Sequence, residues 1–202
     1  MSYSYPLDIF DDLDIKSITR KLVRRQASTV SPNTGQQKIF DSGIAWWEST
    51  ITLAKLNREK AQKLESNFLK LNGVVGTFLF AFKDSKQSLG TVSGSPLVGG
   101  FSNGNKTVST NGWTPSQTVL KSGDWISFSN HELKRVVDDV VSDVSGNATI
   151  NFEPAMRKLI GASTAILVNP AKGIFRLTES NDQISIDTFS HYSYSFTIRE
   201  AF

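Results

Sequence analysis

Gly99-Gly-Phe-Ser-Asn-Gly104-Asn-Lys106-Thr107 is the stretch of this chain with a composition suited to holding phosphate. A phosphate-binding loop needs lysine directly after its last glycine, between a buried strand and a helix, so that backbone N–H groups and the ammonium converge on one anion. Here Asn105 intervenes and no helical pattern follows, so the stretch reads as a glycine-rich surface loop. Asp138, Asp139, Asp143 and Glu153 form an acidic cluster of the kind that could hold a divalent cation. On a strand only Asp139 and Asp143 share a face, and the alternating oxygen ligands of a calcium loop are missing. The group reads as a solvated strand face running into a turn at Gly146. Of the two histidines, His131 lies in Ser127-Phe-Ser-Asn-His-Glu132, where closeness in sequence does not create the geometry of a triad; His191 falls on the polar face of an alternating strand. The absence of cysteine removes a thiolate nucleophile, a thiolate metal site and a disulfide framework together. The expectation is a chain with no catalytic residue, no metal and no cofactor.

A second group has charge rather than reactivity. Arg20, Lys21, Arg24 and Arg25 form a basic run, preceded by Asp8, Asp11, Asp12 and Asp14. A nucleic-acid footprint adds further basic residues and interleaved aromatics, which this run lacks, and the net charge is only +3 with 20% charged residues. No specific nucleic-acid binding is expected. Two readings fit: an edge strand protected by charge, or a subunit contact in which Asp11 and Asp12 of one copy meet Arg20, Lys21, Arg24 and Arg25 of the next. No apolar run approaches the roughly 18 residues of a membrane span, and the first residues lack the pattern of a secretion signal, so folding in a cytoplasm is expected.

The elements that would position these residues are mostly strands. Polar and apolar residues alternate from Ile18 to Thr29; Trp47, Ile51 and Leu53 alternate with Trp46, Glu48, Thr50 and Thr52; and Tyr192, Tyr194, Phe196 and Ile198 alternate with Ser193, Ser195, Thr197 and Arg199. One segment differs: Asn57 to Leu71 has Ala61, Leu64, Phe68 and Leu71 at helical spacing, an N-cap in Asn57, and Asn72-Gly73 at its end. Val74 to Phe82, apolar on both parities, predicts a strand covered on both faces. Between Gly90 and Gly112 glycine, serine and asparagine take over. A second β unit follows, with turns at Gly123-Asp124 and Ser145-Gly146-Asn147 around Trp125 to Phe128, Val136 to Val141 and Ala148 to Phe152. Long strands return with Ala165 to Val168 and Gly173 to Leu177. The division is therefore discontinuous: residues 1–84 and 163–202 form a main domain, with 85–162 inserted as a small β-barrel or sandwich.

In this order the elements resemble those of the distal tail, or baseplate hub, proteins of tailed bacteriophages and related minor tail proteins. The resemblance is carried by Trp46-Trp47 and its strand, Leu56 with Arg58 and the helix Ala61 to Leu71, Gly73, and Gly76-Thr-Phe-Leu-Phe80. Leu120 to Ile126, Ser142 to Ile150 with Glu153-Pro154, and Gly173 to Leu177 extend it. It implies a tail-tube-like β-sandwich with one flanking helix, assembled as a ring of six subunits at the end of the virion tail, with the inserted domain facing outward. Tail tube, hub and fibre proteins would be its neighbours, and assembly would take place in the host cytoplasm. A tube or terminator subunit shares the same core; the insertion favours the distal position. Two other classes stay open: a carbohydrate- or receptor-binding module stacking sugars on exposed tryptophans such as Trp113 and Trp125, and a hydrolase working through paired carboxylates.

Overall fold

A computed structural model describes residues 3–10, 13–100, 105–179, 184–186 and 192–201. Among these residues the fold is mainly β, with 48% strand and 9% helix. Strands β1 (Ile15–Val30) and β2 (Gln37–Leu53) form a long hairpin, followed by helix α1 (Arg58–Leu71) and the short β3 (Phe78–Phe80). The second unit contains β4 (Gly94–Val98), β5 (Thr107–Trp113), β6 (Thr118–Leu120), β7 (Trp125–Phe128), β8 (Leu133–Val136), β9 (Val140–Val141), β10 (Ala148–Glu153) and β11 (Ile166–Leu167). The chain returns through β12 (Gly173–Leu177), β13 (Ile184–Ile186) and β14 (Tyr192–Glu200).

These strands build two large antiparallel sheets. The first runs β1-β2-β14-β12-β3, with β13 paired to β14. Its β3 edge is covered by the chain's own N-terminal segment: the Leu7 N–H donates to the Thr77 carbonyl at 2.9 Å, and the Leu79 N–H donates to the Leu7 carbonyl at 2.8 Å. The second runs β11-β7-β8-β10-β5-β4, and a bridge between Leu97 and Ala165 brings its two ends together into a nearly closed barrel. Ser163 to Val168 thus adds β11 to the second sheet, while β12 to β14 belong to the first. A two-stranded β6–β9 ribbon lies beside the barrel strands.

The helix follows from its own residues. Asn57 accepts the Lys60 N–H at 3.0 Å as N-cap, and Asn72 at φ 51° takes the left-handed C-terminal position, as the spacing predicts. Ala61, Leu64, Phe68 and Leu71 are buried against the first sheet. The Phe68 ring meets Phe196 edge-on at 5.2 Å and Phe10 at 5.7 Å, and Phe10 in turn meets Phe78 at 4.6 Å. The strand expected over Val74 to Phe82 is confined to Phe78–Phe80. The helix end consumes the residues before it: the Gly76 N–H donates to the Leu71 carbonyl at 2.8 Å, and a Cβ on Gly76 would lie 2.5 Å from that oxygen. Val74 and Val75 are left exposed in the turn.

Along β2 the burial alternates as expected from Ala45 to Leu53, and along β14 Tyr194, Ile198 and Glu200 are buried. Two cores result. One gathers Trp47, Ile51, Phe68, Phe78, Phe82, Phe175 and Ile198 of the first sheet and helix, the other Val108, Ile126, Phe128, Ile150, Phe152 and Val168 of the barrel.

Candidate assembly surface

The basic run lies on β1, but most of it is engaged within the chain. Arg20 forks onto Asp84 through two 2.9 Å bonds, and its guanidinium stands 4.6 Å from the ring centres of both Phe82 and Trp125. Lys21 pairs with Glu48 at 2.8 Å and Arg24 with Glu153 at 3.3 Å. Arg25 is exposed, and its carbonyl accepts the Ser42 hydroxyl at 2.6 Å. On the acidic side Asp8 pairs with Lys172 and Asp14 with Lys60. Asp11 and Asp12 lie outside the described residues. The structure therefore binds Arg20, Lys21 and Arg24 to intramolecular carboxylates and brings only Arg25 of the run to the foot of a projecting element.

That element is the distal half of the β1–β2 hairpin. Its register shifts between Arg24 and Gln26 on β1, opposite Ser42 to Ile44 on β2, forming an irregularity that bends the ribbon. Gly43 supplies the left-handed φ of 70° and donates its N–H to Asp41 at 3.0 Å. That bond, with the Gln26 side chain, holds Asp41 below the usual carboxylate range. Beyond it five residue pairs, Gln26–Asp41 to Val30–Gln37, continue for about 17 Å. They end in a turn closed by Ser31 and Gln36.

Every residue from Arg24 to Val30 and from Gln37 to Ile44 is exposed. The pairing puts Ala27, Phe40, Thr29 and Lys38 on one face and Ser28, Ile39, Val30 and Gln37 on the other, so each face carries apolar side chains. Ile39 is 62% and Phe40 53% exposed, with the Lys38 ammonium 5.1 Å from the Phe40 ring. A two-stranded ribbon lacking a core on either side is marginal by itself, and this one exposes apolar residues on both of its faces. The sequence expectation named the charges at the foot of this arm and did not include its apolar residues. The available signal was Val30, Ile39 and Phe40 flanking the turn at Ser31-Pro-Asn-Thr-Gly35.

The remaining candidates are dispersed. Asp143 accepts the N–H groups of Ser145 and Asn147, each at 2.8 Å, and these bonds hold it below the usual carboxylate range. Asp138 accepts from Asn151, Asp139 accepts from the Ser122 N–H, and Glu153 pairs with Lys106 as well as Arg24. Among the described residues no three of His, Asp and Glu converge as metal ligands. In the glycine-rich stretch 101–104 lies outside the described residues, and Thr107 begins β5. His131 occupies a turn at φ 57°, and its half-buried ring has a pKa lowered by burial. His191 lies outside the described residues. Trp113 and Trp125, expected at the surface, are both buried: the Trp113 indole donates to Thr110 at 2.8 Å and the Trp125 indole to Asp84 at 3.1 Å. Neither can stack a sugar, because packing of the barrel and of the seam beside it covers both rings.

That seam carries buried charge the sequence did not reveal. Arg157 reaches from the barrel unit to Glu200 at the end of β14, and Glu200 also accepts the Trp47 N–H at 3.1 Å. Beside it Lys134 pairs with Glu132 at 2.7 Å, and Glu132 accepts the backbone N–H groups of Arg157 and Lys158. Trp47 meets Trp125 edge-on at 4.9 Å and donates its indole N–H to the Leu133 carbonyl at 3.3 Å. Compared with known protein families and with curated proteins, the chain matches none.

Proposed function

We propose that this chain is a structural subunit of a bacteriophage tail tip that assembles into a ring, of six copies in keeping with the resemblance, joining the tail tube to the baseplate or receptor-binding parts. The observation that carries the reading is the β1–β2 arm, solvated on both faces yet apolar on both. The mainly-β architecture with one helix and a small barrel supports it, and the tail-tube-like sandwich core belongs to the same proposal. In this reading the protein has no catalytic role and no cofactor, its partners are further copies and the neighbouring tail proteins, and it resides in the virion tail after assembly in the host cytoplasm.

The test is electron microscopy of the purified full chain across a concentration series, alone and mixed with adjoining tail proteins, and of virions labelled with an antibody to this chain. Six-fold rings and label at the tail tip are expected. Label along the whole tail would favour a tube subunit instead. A chain that remains monomeric in every mixture and gives no tail label would end the proposal.

A further inference from the structure

The arm has a matching surface on the other unit of the same chain. From Asp139 to Asp143 burial alternates: Val140 and Ser142 point inward, while Asp139, Val141 and Asp143 share the outward face of β9. Val137 and Asp138 before it and Val144 after it are exposed as well, with Val141 at 62% and Val144 at 84% exposure. This face therefore combines Val141 with the carboxylates of Asp139 and Asp143, flanked by the exposed Val137, Asp138 and Val144, and the bonds around Asp143 favour its ionised form. The arm combines Val30, Ile39 and Phe40 with Arg25 and Lys38, which outnumber its one carboxylate, Asp41 at the foot. When these two surfaces face one another, apolar meets apolar and basic meets acidic.

We infer that the arm of one copy docks on the β9 face of the next, Val137, Asp138, Asp139, Val141, Asp143 and Val144, so that the barrel unit is the receptor for its neighbour's hairpin. The inference rests on the assembly reading above and adds to it the identity of the contact. Because the two surfaces differ, the contact is head-to-tail, and each copy both gives and receives an arm. Ring closure then requires no second kind of interface. Exposed valines beside a turn would otherwise be an unpaired apolar patch, as the arm would be.

The chain contains no cysteine, so a single pair of introduced thiols reports the contact without background. Ile39→Cys and Val144→Cys, both at exposed positions, are made singly and together, with Ile39→Cys plus Leu69→Cys as the control pair at the exposed helix end. After mild oxidation of assembled protein, the 39/144 double variant should run as a ladder of linked chains on denaturing gels, and a mixture of the two single variants should give linked dimers. The control pair should give neither. Oligomers that persist by mass photometry with no 39–144 link, or with equal linking at Leu69, overturn this inference while leaving self-assembly standing. Protein with no oligomer at any concentration, alone or with tail partners, overturns both.

Discussion

Arg157 and Glu200 face each other across the seam between the barrel unit and the first sheet, with Glu200 only 2% exposed. A buried carboxylate in this position is stable only while its partner stays, because an unpaired charge keeps its full desolvation penalty. Arg157→Ala should destabilise the protein by about 3–5 kcal/mol in urea unfolding. Adding Glu200→Gln to it should recover a large part of that loss, whereas two additive losses would argue that the residues act separately.

The neighbouring Glu132 gives a pH dependence. Burial raises its pKa, but the Lys134 charge and hydrogen bond and the Arg157 N–H outweigh burial and leave it lowered. A carboxylate whose folded pKa is depressed contributes stability above its unfolded value of about 4.3 and loses it as the pH falls through the folded value. Urea midpoints should therefore drop below about pH 4 in the wild-type chain. Glu132→Gln should lower stability at pH 7 and flatten that acid limb; an unchanged slope would show that Glu132 does not carry it.

Helix packing sets the third expectation. Phe68 is buried among Phe10, Phe196 and Tyr194, so Phe68→Ala leaves a ring-sized void between helix and sheet. A loss of about 3–5 kcal/mol is expected in equilibrium unfolding. A melting temperature within a degree or two of wild type would contradict the packing.

Arm and foot should separate in a paired measurement of stability and assembly. Ile39→Ser with Phe40→Ser touches only exposed side chains and should change stability by less than about 0.5 kcal/mol while abolishing oligomers. Arg20→Ala removes the Asp84 fork and the stacking on Phe82 and Trp125, and should lower stability by about 1–2 kcal/mol. The reverse outcome, with Arg20 mattering only to assembly, would return the interface to the charges at the foot.

The helix was legible from end to end because its signals are local: Asn57, the four apolar positions and Asn72-Gly73 each act within a turn. The alternating strands were legible for the same reason. Periodicity tells which side chains share a face but not whether anything lies on that face, so β1 looked half-buried although its distal half is bare on both sides. Glu200 continues the inward parity of Tyr194 and Ile198, yet a glutamate there reads as the end of the strand unless Arg157, 43 residues away in sequence, is known to meet it. Lys134 is hidden for the same reason: its partner Glu132 and its acceptor, the Ala155 carbonyl, come together only in three dimensions. Trp113 and Trp125 were expected at the surface, whereas the fold buries one in the barrel core and the other in the core of the first sheet.

Leu7 covers one border of the first sheet, while β1 leaves the opposite border uncovered among the described residues. A sheet with two bare borders can add molecule after molecule and grow into a fibril, whereas one with a single bare border can join only one other molecule that way before it runs out of hydrogen-bonding groups. By occupying the β3 border, the Leu7 segment removes one of the two places at which a second molecule could add a strand. Leu7→Pro, which removes the N–H bonded to Thr77 and leaves Phe10 in the core, should loosen the cover on that border, and ribbons seen by electron microscopy would be its sign.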